Sequence, residues 1–181
     1  LDSAEPCIVV AGAPNVGKSA LITALSSGEP EVASYPFTTK QLHLGHFEHR
    51  RRAYQMVDTP GLLDRPMVER NQIEMQAIAA LEHTGHVLLF LIDATEGSSS
   101  PLDEQERLLT EVRQLMSERP MIVIHSKSDI LENPPEGAET LISAQTGDGL
   151  EELRSRLIET IGADEVIDPL SLPDNWHRNE E

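Results

Sequence analysis

The sequence predicts an α/β fold, a three-layer sandwich around a mainly parallel sheet, and three observations predict it. Short, wholly apolar runs, IVVA at 8–11, VLLFLI at 87–92 and MIVI at 121–124, read as strands buried on both faces. Stretches of helical length with apolar residues at helical spacing alternate with those runs, which calls for right-handed crossovers between parallel strands. A glycine-rich turn, GAPNVGKS at 12–19, stands directly between the first apolar run and the first helix.

Each element can be justified in order. Cys7 to Ala11 reads as a buried strand, and a helix follows from Lys18 to about Ser26, with Leu21, Ile22 and Leu25 on one face, ending before Gly28. Pro30 to Thr39 holds two prolines and no apolar periodicity, so an ordered or switchable loop is expected. Leu42, Leu44 and Phe47, then Tyr54, Met56 and Val57, predict two paired strands around the charged turn HRRR, and Asp58-Thr59-Pro60-Gly61 stops the second. Glu69 to Glu82 predicts a helix with Ile73, Ala77, Ile78 and Leu81 on one face. After the strand Val87 to Ile92, the loop GSSSP leads into a helix from Leu102 to about Met116, then a strand from Met121 to His125. A short strand near Thr140 to Ser143 and a last helix from about Leu150 to Ile161 complete the set. The expected division is one domain over 1–161 and an acidic extension over 162–181 that carries the sole tryptophan, Trp176; there is no internal repeat.

Composition narrows the function. A chain of 181 residues is the size of one domain, large enough to bury about 70% of its unfolded surface. The 39% hydrophobic content comes in blocks, which disorder would not produce. No apolar stretch reaches the roughly 18 to 20 residues that cross a bilayer. The start LDSAEP also lacks the basic and apolar regions of a signal peptide, so a cytoplasmic protein with no membrane partner is expected. Leu1 in place of methionine is expected of a fragment of something longer or of a processed chain. The single cysteine, Cys7, excludes an internal disulfide and reads as a buried thiol. His43, His46 and His49 recur at odd steps, which on a strand puts neighbours on opposite faces, so they are not expected to converge on zinc. The formal charge is −17, from 31 acidic against 14 basic residues, of which three are lysines. Such a field repels nucleic acid, confining any RNA contact to a local patch such as His49-Arg50-Arg51-Arg52, which otherwise reads as a solvated hairpin tip. The acid excess also fits a halophilic source, whose salt screens the self-repulsion.

The chemistry-bearing motifs lie at strand ends. Residues 12–19 fit G-x-x-x-x-G-K-[ST] between a strand and a helix, the context of a P-loop nucleoside triphosphatase. Gly12, Ala13, Pro14, Asn15, Val16, Gly17, Lys18, Ser19 and Ala20 are the expected nucleotide-binding segment. Successive N–H groups and the positive helix end would face the β-phosphate, Lys18 would bridge β- and γ-phosphates, and the Ser19 hydroxyl would ligate Mg²⁺. Asp58 stands where a carboxylate for Mg²⁺ belongs, and the Gly61 N–H can bond the γ-phosphate. Thr38 and Thr39 lie in a loop able to close over that phosphate; Thr39 is the preferred Mg²⁺ ligand. In Ser126-Lys127-Ser128-Asp129, Asp129 can accept from the N1–H and 2-amino groups of guanine while Lys127 lies along the base. Ser143-Ala144-Gln145 can offer the Ala144 N–H to the guanine O6.

These five segments in this order resemble the translation-factor-related GTPases, which implies a Ras-like G domain. SYPFTTKQLHLGHFE, DTPGLLDRPMVERNQIEMQAIAAL and HVLLFLIDATEG followed by LDEQ look like the nucleolar GTP-binding protein (Nog) subfamily of Obg-type GTPases, over roughly Glu5 to Ile161. The resemblance implies Mg²⁺-dependent GTP binding and slow hydrolysis in a switch. It also implies a role in assembly of the large ribosomal subunit, with pre-ribosomal RNA or protein contacted mostly through regions outside this sequence. Two departures stand out. Ser126 replaces the asparagine of N-K-x-D, which ties the base loop to the P-loop, so weaker nucleotide binding is expected. Leu62 stands where Ras-like enzymes place a water-orienting glutamine, so turnover is expected near the roughly 10⁻⁴ s⁻¹ of unassisted small GTPases. Relatives with the loop form G-x-P-N-x-G-K-S use its asparagine to help bind K⁺, which gives Asn15 either that role or a loop-shaping one. Two rival readings remain open: a non-hydrolysing guanine-nucleotide-binding assembly factor used as a docking module, and an ATPase, against which Asp129 and Ser143-Ala144-Gln145 argue.

Overall fold

A computed structural model describes residues 5–34 and 41–166. Its elements run β1 (Cys7–Ala11), α1 (Lys18–Leu25), β2 (Glu31–Ser34), β3 (Gln41–His49), β4 (Arg52–Asp58), α2 (Gln72–Thr84), β5 (Val87–Ile92), α3 (Leu102–Leu115), β6 (Met121–His125) and α4 (Leu150–Val166). The strands form one sheet of six in the order β2-β3-β4-β1-β5-β6. β4, β1, β5 and β6 are mutually parallel, and β2 and β3 extend that edge antiparallel.

The apolar runs become the middle of the sheet because both their faces are covered. Every residue of β1 and of β5 is buried, as a parallel strand between two helical layers requires. Leu21, Ile22 and Leu25 of α1, Ala77, Ile78 and Leu81 of α2, Leu108 and Val112 of α3, and Leu153, Leu157 and Ile161 of α4 supply the helical side of the core. Cys7 lies within it at 2% exposure, and burial pushes its thiol up to about 12. Among the described residues no helix is long and apolar enough to cross a membrane.

Five local expectations are corrected. The stretch expected to be a loop over Pro30 to Thr39 contains β2, which pairs with Gln41–Leu44 of β3. An edge strand bonds on one side only and needs no buried face, and Val32 is 61% exposed, so β2 carries no apolar periodicity to read. The strand near Thr140 to Ser143 reduces to an isolated bridge between His125 and Leu141. Ile73 does not join the buried face of its helix, at 49% exposure. That helix begins at Gln72 rather than Glu69 because Asn71 caps it, in a capping box with the buried Glu74. Finally, α4 runs past Ile161 to Val166.

Candidate functional site

All four parallel strands deliver their carboxyl ends to one rim of the sheet, where α/β proteins assemble their sites. β1 ends into Gly12, β4 at Asp58, β5 into Asp93 and β6 into Ser126. The loop after β1 is set by two glycines. At Gly12, φ is 139°, and a Cβ there would stand 2.6 Å from the Leu91 carbonyl oxygen. At Gly17, φ is 104°, and this residue caps α1 with no side-chain hydrogen bond. The first N–H groups of α1 therefore face outward with the positive end of the helix dipole, a ready anion site.

An open cleft of about 460 Å³ lies over that helix end, lined by Pro14, Asn15, Gly17, Lys18, Ser19, Ala20, His43, Asp58, Pro60 and Asp64. Val16 and Ala13 turn inward and are buried. The Lys18 ammonium, 8% exposed, donates to the carbonyl oxygens of Gly12 and Ala13, each at 2.8 Å. Burial lowers its pKa against the opposing pull of Asp58 and Asp64. Ser19 Oγ donates to Asp58 Oδ2 at 3.4 Å, and His43 Nδ1 lies 3.8 Å from the same oxygen. Burial raises the Asp58 carboxyl pKa, partly offset by Lys18 and His43, and its Oδ1 is buried with no hydrogen-bond partner among the described residues. A buried carboxylate oxygen left unpaired beside a serine hydroxyl fits a hydrated divalent cation. Asn15, at φ 63°, is exposed and donates from Nδ2 to Ser99 Oγ at 3.3 Å.

The segment after β4 is folded in on itself. The Gly61 N–H donates to Asp64 Oδ2 at 2.7 Å. Arg70, its side chain withdrawn from solvent, donates to the carbonyl oxygens of Gly61 at 2.6 Å and Arg65 at 2.7 Å. Leu62 packs in the core at 0% exposure. Thr38 and Thr39 lie outside the described residues.

The opposite side of the rim is held by a chain of short bonds. Ser126 Oγ donates to the Val16 carbonyl oxygen at 2.6 Å. The expected consequence of losing the asparagine is thus corrected in its premise: the serine itself ties this loop to the P-loop, across 110 residues. Lys127, at φ 58°, donates to Asp93 Oδ2 at 2.6 Å. Burial would raise the Asp93 pKa, but its bonds from Lys127 and Thr95 outweigh that and lower it. Gln105, fully buried, donates to the Asp93 carbonyl oxygen and accepts from the Asp93 N–H, both at 2.8 Å. Ser143 Oγ donates to Asp129 Oδ1 at 2.6 Å and accepts from the Thr146 N–H at 3.1 Å, which fixes the exposed carboxylate of Asp129 and closes the turn holding Ala144 and Gln145.

Sequence reasoning passed over Asp64, Arg70, Asp93 and Gln105. A carboxylate directly after the apolar run VLLFLI marked Asp93, because a charge there must find partners. No spacing rule marks the other three, which bond backbone atoms at Gly61, Arg65 and Asp93.

A family model described as the 50S ribosome-binding GTPase matches residues 7–127. An uncharacterized protein of Methanocaldococcus jannaschii is 46% identical over 127 residues, covering 70% of this chain and 35% of that protein. Nucleolar GTP-binding protein 1 of Drosophila melanogaster is 40% identical over 145 residues, covering 79% of this chain and 22% of that protein. Among solved structures, a crystal structure described as a nucleolar GTP-binding protein 1 of Plasmodium falciparum superposes with a TM-score of 0.81 at 30% identity, over 92% of this chain and 91% of that one. The chain thus spans about a third or less of the length of the curated relatives it matches.

Proposed function

Because the chain belongs to the 50S ribosome-binding GTPase family, we propose that it binds GTP with Mg²⁺ at Gly12–Ser19, hydrolyses it slowly, and acts as a switch in assembly of the large ribosomal subunit. The observation that carries the reading is the grouping, in one cleft, of an uncapped helix start, a buried Lys18 and the Ser19–Asp58 pair with its unsatisfied oxygen. A polyphosphate is the ligand class that uses all three.

When bound, Mg²⁺ supplies neutralisation of the β- and γ-phosphate oxygens. The Ser19 and Thr39 hydroxyls would ligate it, and Asp58 would hold it through its bound water. Lys18 gives up the Gly12 and Ala13 oxygens and neutralises the charge that develops between the β- and γ-phosphates. The Gly61 N–H exchanges Asp64 for the γ-phosphate, and this exchange is how the segment 61–70 senses the nucleotide. Asp129 accepts from the N1–H and 2-amino group of guanine, the Lys127 stem covers the base, and the Ala144 N–H meets O6, with Ser126, Ser143 and Gln145 shaping the loops. Asn15 recruits K⁺ beside the phosphates, replacing the charge an arginine finger would bring. Resemblance to nucleolar GTP-binding protein 1 supports the pre-ribosomal partner.

A single-turnover assay with GTP and ATP, each in KCl and in NaCl at equal ionic strength, tests the whole reading. GTP alone is consumed, at a rate near roughly 10⁻⁴ s⁻¹ in NaCl and faster in KCl. Equal rates in the two salts would remove K⁺, and ATP turnover would remove the base assignment. The burial of Leu62 favours a second reading, a nucleotide-stabilised docking module without turnover, because no side chain at that position can orient water. In that case GTP is bound and returned intact.

A further inference from the structure

We propose that the turn between β3 and β4 docks on the phosphate backbone of RNA, through the guanidinium groups of Arg50 and Arg51. This deepens the ribosome-assembly reading above and rests on it for the source of the polyanion.

The turn is the tightest kind of hairpin. His49 pairs with Arg52, leaving only Arg50 and Arg51 between the strands. Both sit in the left-handed region, at φ 50° and 66°, the conformation of a type I′ turn, which Asn-Gly fills without strain and other side chains fill at a cost. Turn chemistry therefore does not explain two arginines here; it argues against them. A residue kept in a disfavoured backbone conformation points to a use for its side chain.

Charge supplies the second argument. Elsewhere Arg107, Arg154 and Arg156 each pair with a carboxylate, Asp103, Glu151 and Glu139. Arg50 and Arg51 are exposed, and among the described residues neither has an ion-pair or hydrogen-bonding partner. In a chain of net charge −17, two adjacent guanidinium groups without an ion-pair partner among the described residues form a place where a polyanion can approach, the acidic field being screened by salt beyond about 8 Å. The guanidinium fork matches phosphate oxygens in pairs.

The tip is also stiffly supported. Phe47 and Tyr54, two pairs below the closing pair His49–Arg52, stack with centroids 5.1 Å apart and planes 5° from parallel. Arg52 lies over the Tyr54 ring at 5.6 Å and Arg154 over the Phe47 ring at 5.4 Å. Little ordering is then needed on contact. β4 has seven residues from Arg52 to Asp58, which sets the turn on the order of 20 Å from the nucleotide cleft, so both can be occupied together.

The test measures binding of the full chain, loaded with GTP and Mg²⁺, to a fluorescein-labelled RNA duplex by anisotropy and to purified large ribosomal subunits by co-sedimentation, at several KCl concentrations. The comparison is the double variant Arg50→Asn with Arg51→Gly, which restores ideal turn chemistry and should melt at or above the parent temperature, so lost binding cannot be lost folding. Expected is a roughly tenfold loss on both targets at low salt and a salt dependence shallower by about two in log–log slope. Equal binding by parent and variant overturns the proposal, as does equal affinity of the parent for polyglutamate and RNA, or no binding of the parent to either target. Subunit binding that ignores the variant removes this inference and leaves the ribosomal reading. Hairpin-dependent binding to bare RNA without any to subunits does the reverse.

Discussion

The two sides of the rim treat their polar groups in opposite ways. On the Asp129 side, the side chains that would meet a base are already braced: Ser143 holds Asp129 and Asp93 holds Lys127, while Ser126 ties their loop to Val16. On the phosphate side Lys18 and the Gly61 N–H are satisfied by partners that a bound phosphate would displace. Lys18 spends its protons on the Gly12 and Ala13 carbonyl oxygens, and the Gly61 N–H is taken by Asp64. A braced site binds without reorganising, which favours affinity and selectivity. A site that must exchange partners converts arrival of a phosphate into movement of the chain that held the old partner, which favours switching.

The largest effect expected is at the braced side. Asp129→Asn replaces an acceptor by a donor opposite two guanine N–H groups and should cost about 3 kcal/mol or more, on the order of 10²-fold in Kd for GTP, while binding of xanthosine triphosphate improves. Unchanged preference in calorimetry would break the base assignment. Leu62→Gln should lower stability by about 2 to 4 kcal/mol, since the amide would enter a core position with 0% exposure. Its measure is urea unfolding, and faster hydrolysis without destabilisation would mean that the segment after β4 is not packed as described. Ser143→Ala removes the brace but leaves Asp129 in place, and a roughly tenfold weaker GTP affinity is expected, from a charge-assisted hydrogen bond of about 1.5 kcal/mol. Smallest is Asp64→Ala. Freeing the Gly61 N–H should raise the affinity for a non-hydrolysable GTP analogue relative to GDP several-fold, for a bond of about 1 kcal/mol. A fall in that ratio would show that Asp64 supports the triphosphate rather than competing with it.

Acid sharpens the same contrast. The Asp93 carboxyl has a lowered pKa in the folded protein, so its contribution is present above the unfolded value, about 3.9, and is lost as pH falls through the folded one. Asp93→Asn should therefore destabilise at neutral pH and converge with the parent at strongly acidic pH in thermal melts.

Much of this was legible in the sequence, and the reasons are local. A run of apolar residues must be buried, so β1, β5 and β6 could be read directly, and GAPNVGKS between a strand and a helix announces its own geometry through Gly12 and Gly17. Asp58, Lys127 and Asp129 follow because they sit at the ends of such strands. β2 was not legible, since an edge strand lies in a sheet by virtue of its neighbour's backbone, not its own side chains. Nor was the inward turn of Glu74 in place of Ile73, which Asn71 and Arg65 hold in a capping box and an ion pair.

Sequence alone determined that this chain is an α/β P-loop protein and that Gly12–Ser19, Asp58 and Ser126–Asp129 stand at the rim, because strand ends, glycine turns and helix starts are set within a few residues of one another. Tertiary structure alone determined that Ser126 does the tying work of the missing asparagine, that Asp93 holds Lys127, and that Leu62 faces the core. Those outcomes depend on which atoms from distant segments arrive within hydrogen-bonding or packing distance, and chain separation carries no record of that.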